Sequence, residues 1–214
     1  MISGTRGSAL ATCFSATPTE RKKRWIRRQI RGLPKGCAVL AEDETDVRLF
    51  PPLRAGWAKL GESVRVMLSG RNALRVIFGA LNLRTGHRVL LWRKNQRATD
   101  FQAFLRELRR RYGDRPIALV LDEDSSHTAR ASQLLAAKLG IRLLWLPKRC
   151  PELNPMDHLW RAPKAKVSAN HQDLTIERAV ERYLHYLRRL TPRAALRKAG
   201  VLSRRFWLRG ALSK

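Results

Sequence analysis

Apolar residues along this 214-residue chain change period twice, and the changes divide it into stretches of different structure. Residues 1–19 are small and polar and read as a flexible or loosely packed N-terminus. Residues 20–35 place eight Lys and Arg around Trp25, Ile26, Ile30 and Leu33, the spacing of a short basic helix with one apolar seam, stopped by Gly32 and Pro34. Continuous apolar runs then predict strands. The first covers residues 37–42 and delivers Asp43 at its end, and after a loop rich in Pro, Gly and Trp the runs 63–68 and 73–82 follow. Arg84-Thr85-Gly86 is a turn signal, and residues 88–92 return from it, so the first part of the domain is an antiparallel meander.

The period then becomes helical. Thr99 to Gln102 reads as a capping box, with Phe101, Phe104, Leu105, Leu108 and Tyr112 on one face and Gly113 as the stop. Residues 116–121 form a short apolar strand. Ser126 is placed to cap a helix through Leu139, with Ala131, Leu134, Leu135 and Leu139 inward and Gly140 at its end. Residues 141–146 give the last strand. Asn154 then suits a helix N-cap and Pro155 the first helical position, where a missing N–H has no consequence. Residues 174–190 carry a further amphipathic helix with Ile176, Val180, Tyr183, Leu184 and Leu187 inward, bounded by Thr175 and by Thr191-Pro192. Strands alternating with helices after a meander imply parallel additions to one sheet edge. The chain is therefore α/β: a mixed five-stranded sheet, antiparallel meander plus parallel strands, flanked by helices and followed by a C-terminal helical extension.

Charge adds a partner. Lys and Arg number 44 against 17 acidic residues, a formal charge of +27, and no acid follows Glu181. Such an excess repels itself unless a polyanion screens it, which points to nucleic acid; an arginine-heavy codon bias is a contributing reading. Lys22, Lys23, Arg24, Arg27, Arg28, Lys148, Arg149, Lys164 and Lys166 are the candidate phosphate contacts. In the tail, Phe206 and Trp207 suit packing on the domain better than stacking on bases. Three cysteines, Cys13, Cys37 and Cys150, are odd in number and widely spaced, which excludes a disulfide framework and a Cys-x-x-Cys zinc site and fits a reducing cytoplasm. No apolar run approaches the ~20 residues of a membrane span, and residues 8–16 are too weakly apolar for a signal peptide.

Candidate chemistry rests on carboxylates. Asp43 follows one apolar strand, Asp122 ends another, and Asp157 lies three residues after the Asn154 cap. Alone, Asp157 is equally a capping-box or helix-dipole acid. With two strand-end acids, it completes a set of oxygen ligands drawn from several elements, as a hard divalent cation requires. Glu42, Glu44, Asp46, Glu123 and Asp124 are nearby acids of lower rank. His127, five residues after Asp122, is an accessory candidate or a helix cap, and Glu44 and Asn154 are further accessory candidates.

Four segments, read in order, carry a resemblance: EDETDVRLFPPLRAGW from Glu42, SGRNALRVIFGALN from Ser69, LDEDSSHTA from Leu121 and LPKRCPELNPMDHLW from Leu146. Together, within a match from about Gly32 to about Lys166, they resemble the catalytic domain of mariner-type DDE transposases, the bacterial insertion sequence 630 type in particular. The resemblance implies a ribonuclease-H-like fold in which Asp43 and Asp122 are neighbours and the last core helix brings Asp157 over them. It implies two Mg2+ or Mn2+ ions held by those three aspartates, metal-dependent DNA cleavage and strand transfer, and DNA (transposon ends and target) as partner. A homodimer on DNA, a nucleoid-associated cytoplasmic location and no membrane association go with it. It further implies three parts: linker residues 1–35, catalytic residues 36–168 and a basic extension 169–214.

Three features depart from the family pattern, one of them Glu123-Asp124, where smaller or amide residues are usual. Pro163 follows Asp157 by less than two turns and is expected to interrupt the helix, at a penalty of about 3 kcal/mol or a kink. Members also carry helix-turn-helix modules, for which the stretch before Asp43 is too short. Two other readings follow. One is an inactive basic DNA-binding remnant; the other is a haloacid-dehalogenase-like phosphatase, suggested by ALVLDEDSS from Ala118, whose nucleophile would be misplaced in mid-chain.

Overall fold

The computed structural model describes residues 17–55, 57, 59–61, 65, 66 and 68–213. Among them five strands form one sheet: β1 (Ala38–Arg48), β2 (Leu74–Asn82), β3 (Arg88–Arg93), β4 (Ile117–Leu121) and β5 (Ile141–Trp145), in the order β3-β2-β1-β4-β5. The pairs β1–β2 and β2–β3 are antiparallel, whereas β1–β4 and β4–β5 are parallel. The meander and the parallel additions are thus both present, and the sheet is flanked by helices. Gly86 takes φ 77° at the β2–β3 turn, while Asn82 Oδ1 accepts the Arg84 and Thr85 N–H groups at 3.0 and 3.1 Å.

Each face of the sheet buries its own core. One, beneath helix α2 (Ala98–Tyr112) and helix α4 (Arg130–Lys138), joins Leu40, Phe78, Leu119 and Leu121 to Phe101, Phe104, Leu105 and Leu108. The other joins Val39, Ala41, Ile77 and Val120 to helix α5 (Pro155–Pro163) and helix α6 (Ile176–Arg189) through Met156, Trp160, Val180 and Tyr183. Helix α1 (Pro18–Arg31) adds Ile26 and Ile30 to this second core, and Thr17 caps it. All five predicted inward residues of α6 are buried, with Thr175 as its N-cap.

Several expectations are corrected. The first strand does not stop at Glu42: it runs to Arg48, so Asp43 lies in mid-strand, because β2 supplies pairing partners as far as Leu74. Of the run 63–68, Arg65, Val66 and Leu68 belong to no strand, and the others lie outside the described residues, as do residues 1–16 with Cys13. Helix α2 starts at an Arg97 cap rather than at Thr99, and the Asp100 carboxylate accepts the Arg97 N–H at 3.2 Å. The helix expected to begin at Ser126 is two: α3 (Ser125–Thr128), capped by Asp124, and α4, separated at Ala129 with ψ 131°. That break rotates the second helix, so Ser132 and Ala136 face inward and Leu134 is 61% exposed. Pro163 does not end the helical path. It closes α5, and the backbone continues as a π-helical segment, Lys164–Ser168, which needs no N–H from the proline. Phe206 and Trp207 pack on the second core, as expected.

Candidate active site

Strand alternation decides which acids can meet. On β1, Val39, Ala41 and Val47 enter the core beneath α5, and Asp43 shares their parity. Glu42 and Glu44 share the parity of Ala38 and Leu40 and point to the opposite face. Ala41 pairs with Val120 in the parallel β1–β4 ladder, so two positions further Asp43 stands level with Asp122, just where β4 has ended. The third carboxylate arrives with α5. Asn154 Oδ1 accepts the Met156 N–H at 3.0 Å, and Asn154 Nδ2 donates to the Glu42 carbonyl at 2.7 Å. One side chain therefore starts the helix and ties that start to the backbone beside Asp43, with Asp157 on the first turn.

Asp43, Asp122 and Asp157 line one cleft of about 410 Å³, together with Asn154, Glu123, Asp124 and the segment from Leu146 to Pro151. The electrostatics agree with that convergence. Burial, followed by the charges of Glu44, Asp157 and Asp122, pushes the Asp43 carboxyl up to about 8. Asp122 shifts the other way, below its usual value, chiefly through its hydrogen bond with His127. Three carboxylates lining one cleft offer the oxygen ligands that a hard divalent cation takes.

The accessory candidates have distinct places. His127 is no cap, since Asp124 fills that role by accepting the Ser126 N–H at 2.8 Å. It is fully buried, with Nδ1 3.0 Å from Asp122 Oδ1 and Nε2 2.9 Å from Glu44 Oε1. Glu44 thus touches His127 and acts on Asp43 through its charge. Asp46 turns to Arg48 at 3.2 Å, and Glu123 sits at the cleft rim between Lys148 at 3.5 Å and Lys22 at 4.0 Å. Asp157 itself is met by Arg161 at 3.2 Å.

Among the basic candidates, Lys148 and Arg149 line the cleft, and Lys22 flanks it. Arg24 and Arg28 are exposed on α1. Lys23 pairs with Glu20 at 2.5 Å, and Arg27 Nε donates to the Trp207 carbonyl at 3.0 Å, a packing role. Lys164 lines a separate groove beside Asp46 and Phe50, and Lys166 is exposed beyond it; neither belongs to the cleft. Two structural facts escaped the sequence reading. Gly79, opposite Asp43 in the β1–β2 ladder, leaves space that Met156 and Trp160 fill. Glu42 is wholly buried, which its position beside two exposed-looking acids concealed.

Among solved structures, the Mos1 transposase paired-end complex with left transposon end has a similar fold, with a TM-score of 0.66 and 16% identity over 99% of this chain and 67% of that one. The catalytic domain of Mos1 mariner transposase gives 0.59 and 15%, covering 90% of this chain and 93% of that one. Both share the ribonuclease-H-like arrangement. An insertion element IS630 uncharacterized 39 kDa protein of Shigella sonnei is 27% identical over 156 residues, 72% of this chain. The chain spans about half the length of that relative, the match covering 46% of it. The family model of the DDE superfamily endonucleases matches residues 38–178, from the start of β1 into α6 and across all three aspartates, and the chain belongs to that family.

Proposed function

We propose that this chain is the catalytic part of a bacterial insertion-element transposase that cuts and joins DNA strands with the help of divalent cations. The observation that carries the reading is the lining of one cleft by Asp43, Asp122 and Asp157, with Asp43 pushed up to about 8 by burial and by its neighbours' charge. Residues 36–168 are read as the catalytic unit, 1–35 as a basic linker and 169–214 as a basic extension. The setting is the bacterial cytoplasm, with a homodimer on DNA as the working form.

In this reading Asp43, Asp122 and Asp157 would hold the cations, two Mg2+ or Mn2+. Bound there, the cations supply an activated water or 3′-hydroxyl and stabilise the departing oxygen during in-line attack on a phosphodiester. The chain's own residues do the rest. Asn154 fixes the α5 start to β1, so Asp157 keeps its distance from Asp43. His127 holds Asp122 through one carboxylate oxygen and leaves the other free. Lys148 and Arg149 at the rim, with Lys22, Arg24 and Arg28 on α1, attract the phosphate backbone, a sequence-independent attraction that weakens as salt rises. Supercoiled DNA incubated with the purified chain and Mg2+ or Mn2+ tests the reading. Nicking that EDTA abolishes supports it. Salt-dependent DNA binding without nicking contradicts it and leaves a non-catalytic DNA-binding protein.

A further inference from the structure

Beneath the sheet, on the face opposite Asp43, three side chains converge, and of them His127 alone touches a cleft aspartate, through Nδ1. Glu42 and Glu44 project from β1 into the α2 side, and His127 reaches them from α3. We propose that Glu42, Glu44 and His127 form a second, buried cation site for a first-row divalent ion such as zinc, separate from the aspartate cleft.

Geometry comes first. One ligand atom from each of the three lies within 4.8 Å of the others. His127 Nε2 is 2.9 Å from Glu44 Oε1 and 3.6 Å from Glu42 Oε2. Metal bonds to imidazole nitrogen and carboxylate oxygen are about 2.0–2.2 Å long, so atoms at these separations can share one ion. Imidazole with carboxylates suits a borderline ion better than magnesium, which keeps to oxygen and water.

Glu42 decides between an ion and none. It is 0% exposed, and among the described residues neither carboxylate oxygen has a hydrogen-bond partner. A doubly protonated His127 answers two acids, Asp122 with Nδ1–H and Glu44 with Nε2–H, and both its donors are then spent. Glu42 is left with a charge contact alone, its Oε2 3.6 Å from Nε2 and without a hydrogen bond. A buried polar group without a hydrogen bond requires an explanation. An ion answers all three at once: Glu42 and Glu44 coordinate it, His127 offers the Nε2 lone pair, and Nδ1–H still donates to Asp122. That is the carboxylate–imidazole–metal arrangement in which an outer carboxylate fixes the ring. Phe101, with its ring centroid 4.4 Å from that of His127, closes the apolar side. Such an ion is taken up during folding and exchanges slowly.

The test needs neither DNA nor cleavage, so it fails or succeeds apart from the transposase reading. Tag-free full-length chain is dialysed folded against EDTA, then unfolded in guanidinium, and its released zinc is measured by mass spectrometry. Wild type and Asp157→Asn should each release close to one equivalent, and Glu42→Gln and His127→Asn less than a tenth of that. Should a variant fail to fold, the wild type still decides: refolded with one equivalent of Co2+, it should show visible ligand-field absorption. Less than a tenth of an equivalent of zinc together with no Co2+ absorption in the wild type overturns the proposal. Equal release from Glu42→Gln, or loss confined to Asp157→Asn, overturns it too, the latter by assigning the ion to the cleft.

Discussion

Gly79 stands opposite Asp43 across the β1–β2 ladder, and a methyl group built on it would lie 2.5 Å from Met156 Cε and 2.6 Å from the Trp160 ring. The bare backbone there lets α5 descend onto the sheet beside the buried acid, and that descent sets the height of Asp157 above Asp43. Gly79→Ala should lift the helix or force Trp160 off its rotamer. Overpacking of this kind costs about 1–3 kcal/mol. Thermal denaturation should register a drop of that size, and DNA nicking should fall at least about tenfold, since small displacements of catalytic groups carry large rate penalties.

The Asn154 tether is open to the same separation of effects. Asn154→Ala removes both the cap to Met156 and the donation to the Glu42 carbonyl, and a lost cap typically costs about 1 kcal/mol, up to about 2. Asn154→Ser restores a capping oxygen but not the donation to β1. Urea denaturation should recover most of the stability in the serine variant, while its nicking rate stays low.

Asp43 gives a pH dependence with a definite sign. Its carboxyl moves from an ordinary 3.8 up to about 8, so between those values the folded chain binds a proton that the unfolded chain has released. Stability of cation-free protein therefore falls as pH rises from about 4 to about 8. Calorimetry should find that Mg2+ raises the melting temperature more at pH 8 than at pH 5, where the cation competes with a proton. Asp43→Asn should flatten the decline and remove most of the Mg2+ effect.

The C-terminal tail braces the segment before α5, because Trp207 Nε1 donates to the Leu153 carbonyl at 2.9 Å while its own carbonyl accepts from Arg27 Nε at 3.0 Å. Trp207→Phe keeps most of the apolar packing and loses the first bond. A drop in stability of about 0.5–1.5 kcal/mol is expected. Trp207→Ala should add the loss of packing, about 3–5 kcal/mol when such a residue is fully buried and less here, where it is partly exposed. Hydrogen exchange should show the added mobility at residues 151–157.

Legibility in the sequence followed the range of each interaction. The α6 face and the Asn154–Pro155 helix start depend on local period and caps, and these are readable from spacing, whereas the place of β4 beside β1 is what the family resemblance implies. Asp122 and Asp157 sit at a strand end and on a first helical turn, which local period and caps report, whereas Asp43 lies in mid-strand, and its place level with Asp122 comes from the β1–β4 ladder. The true length of β1 was not: Glu42, Glu44 and Asp46 are poor strand formers, and they continue the strand because β2 pairs with them as far as Arg48. The break at Ala129 escaped for a related reason. Asp124 and Ser126 are both good caps, and tertiary packing of His127 against Phe101 goes with the earlier start. Gly79 and Glu42 depend on partners more than thirty residues away, which no local pattern reports.

Nicking of supercoiled DNA by wild type and by Asp43→Asn, Asp122→Asn and Asp157→Asn, each verified as folded and DNA-bound, tests the shared-cation site most directly. The wild type should nick only with Mg2+ or Mn2+, and each of the three variants should fall to background, at least about a hundredfold lower. A wild-type rate from any one of them would contradict the account, because that carboxylate would then have no part in the reaction.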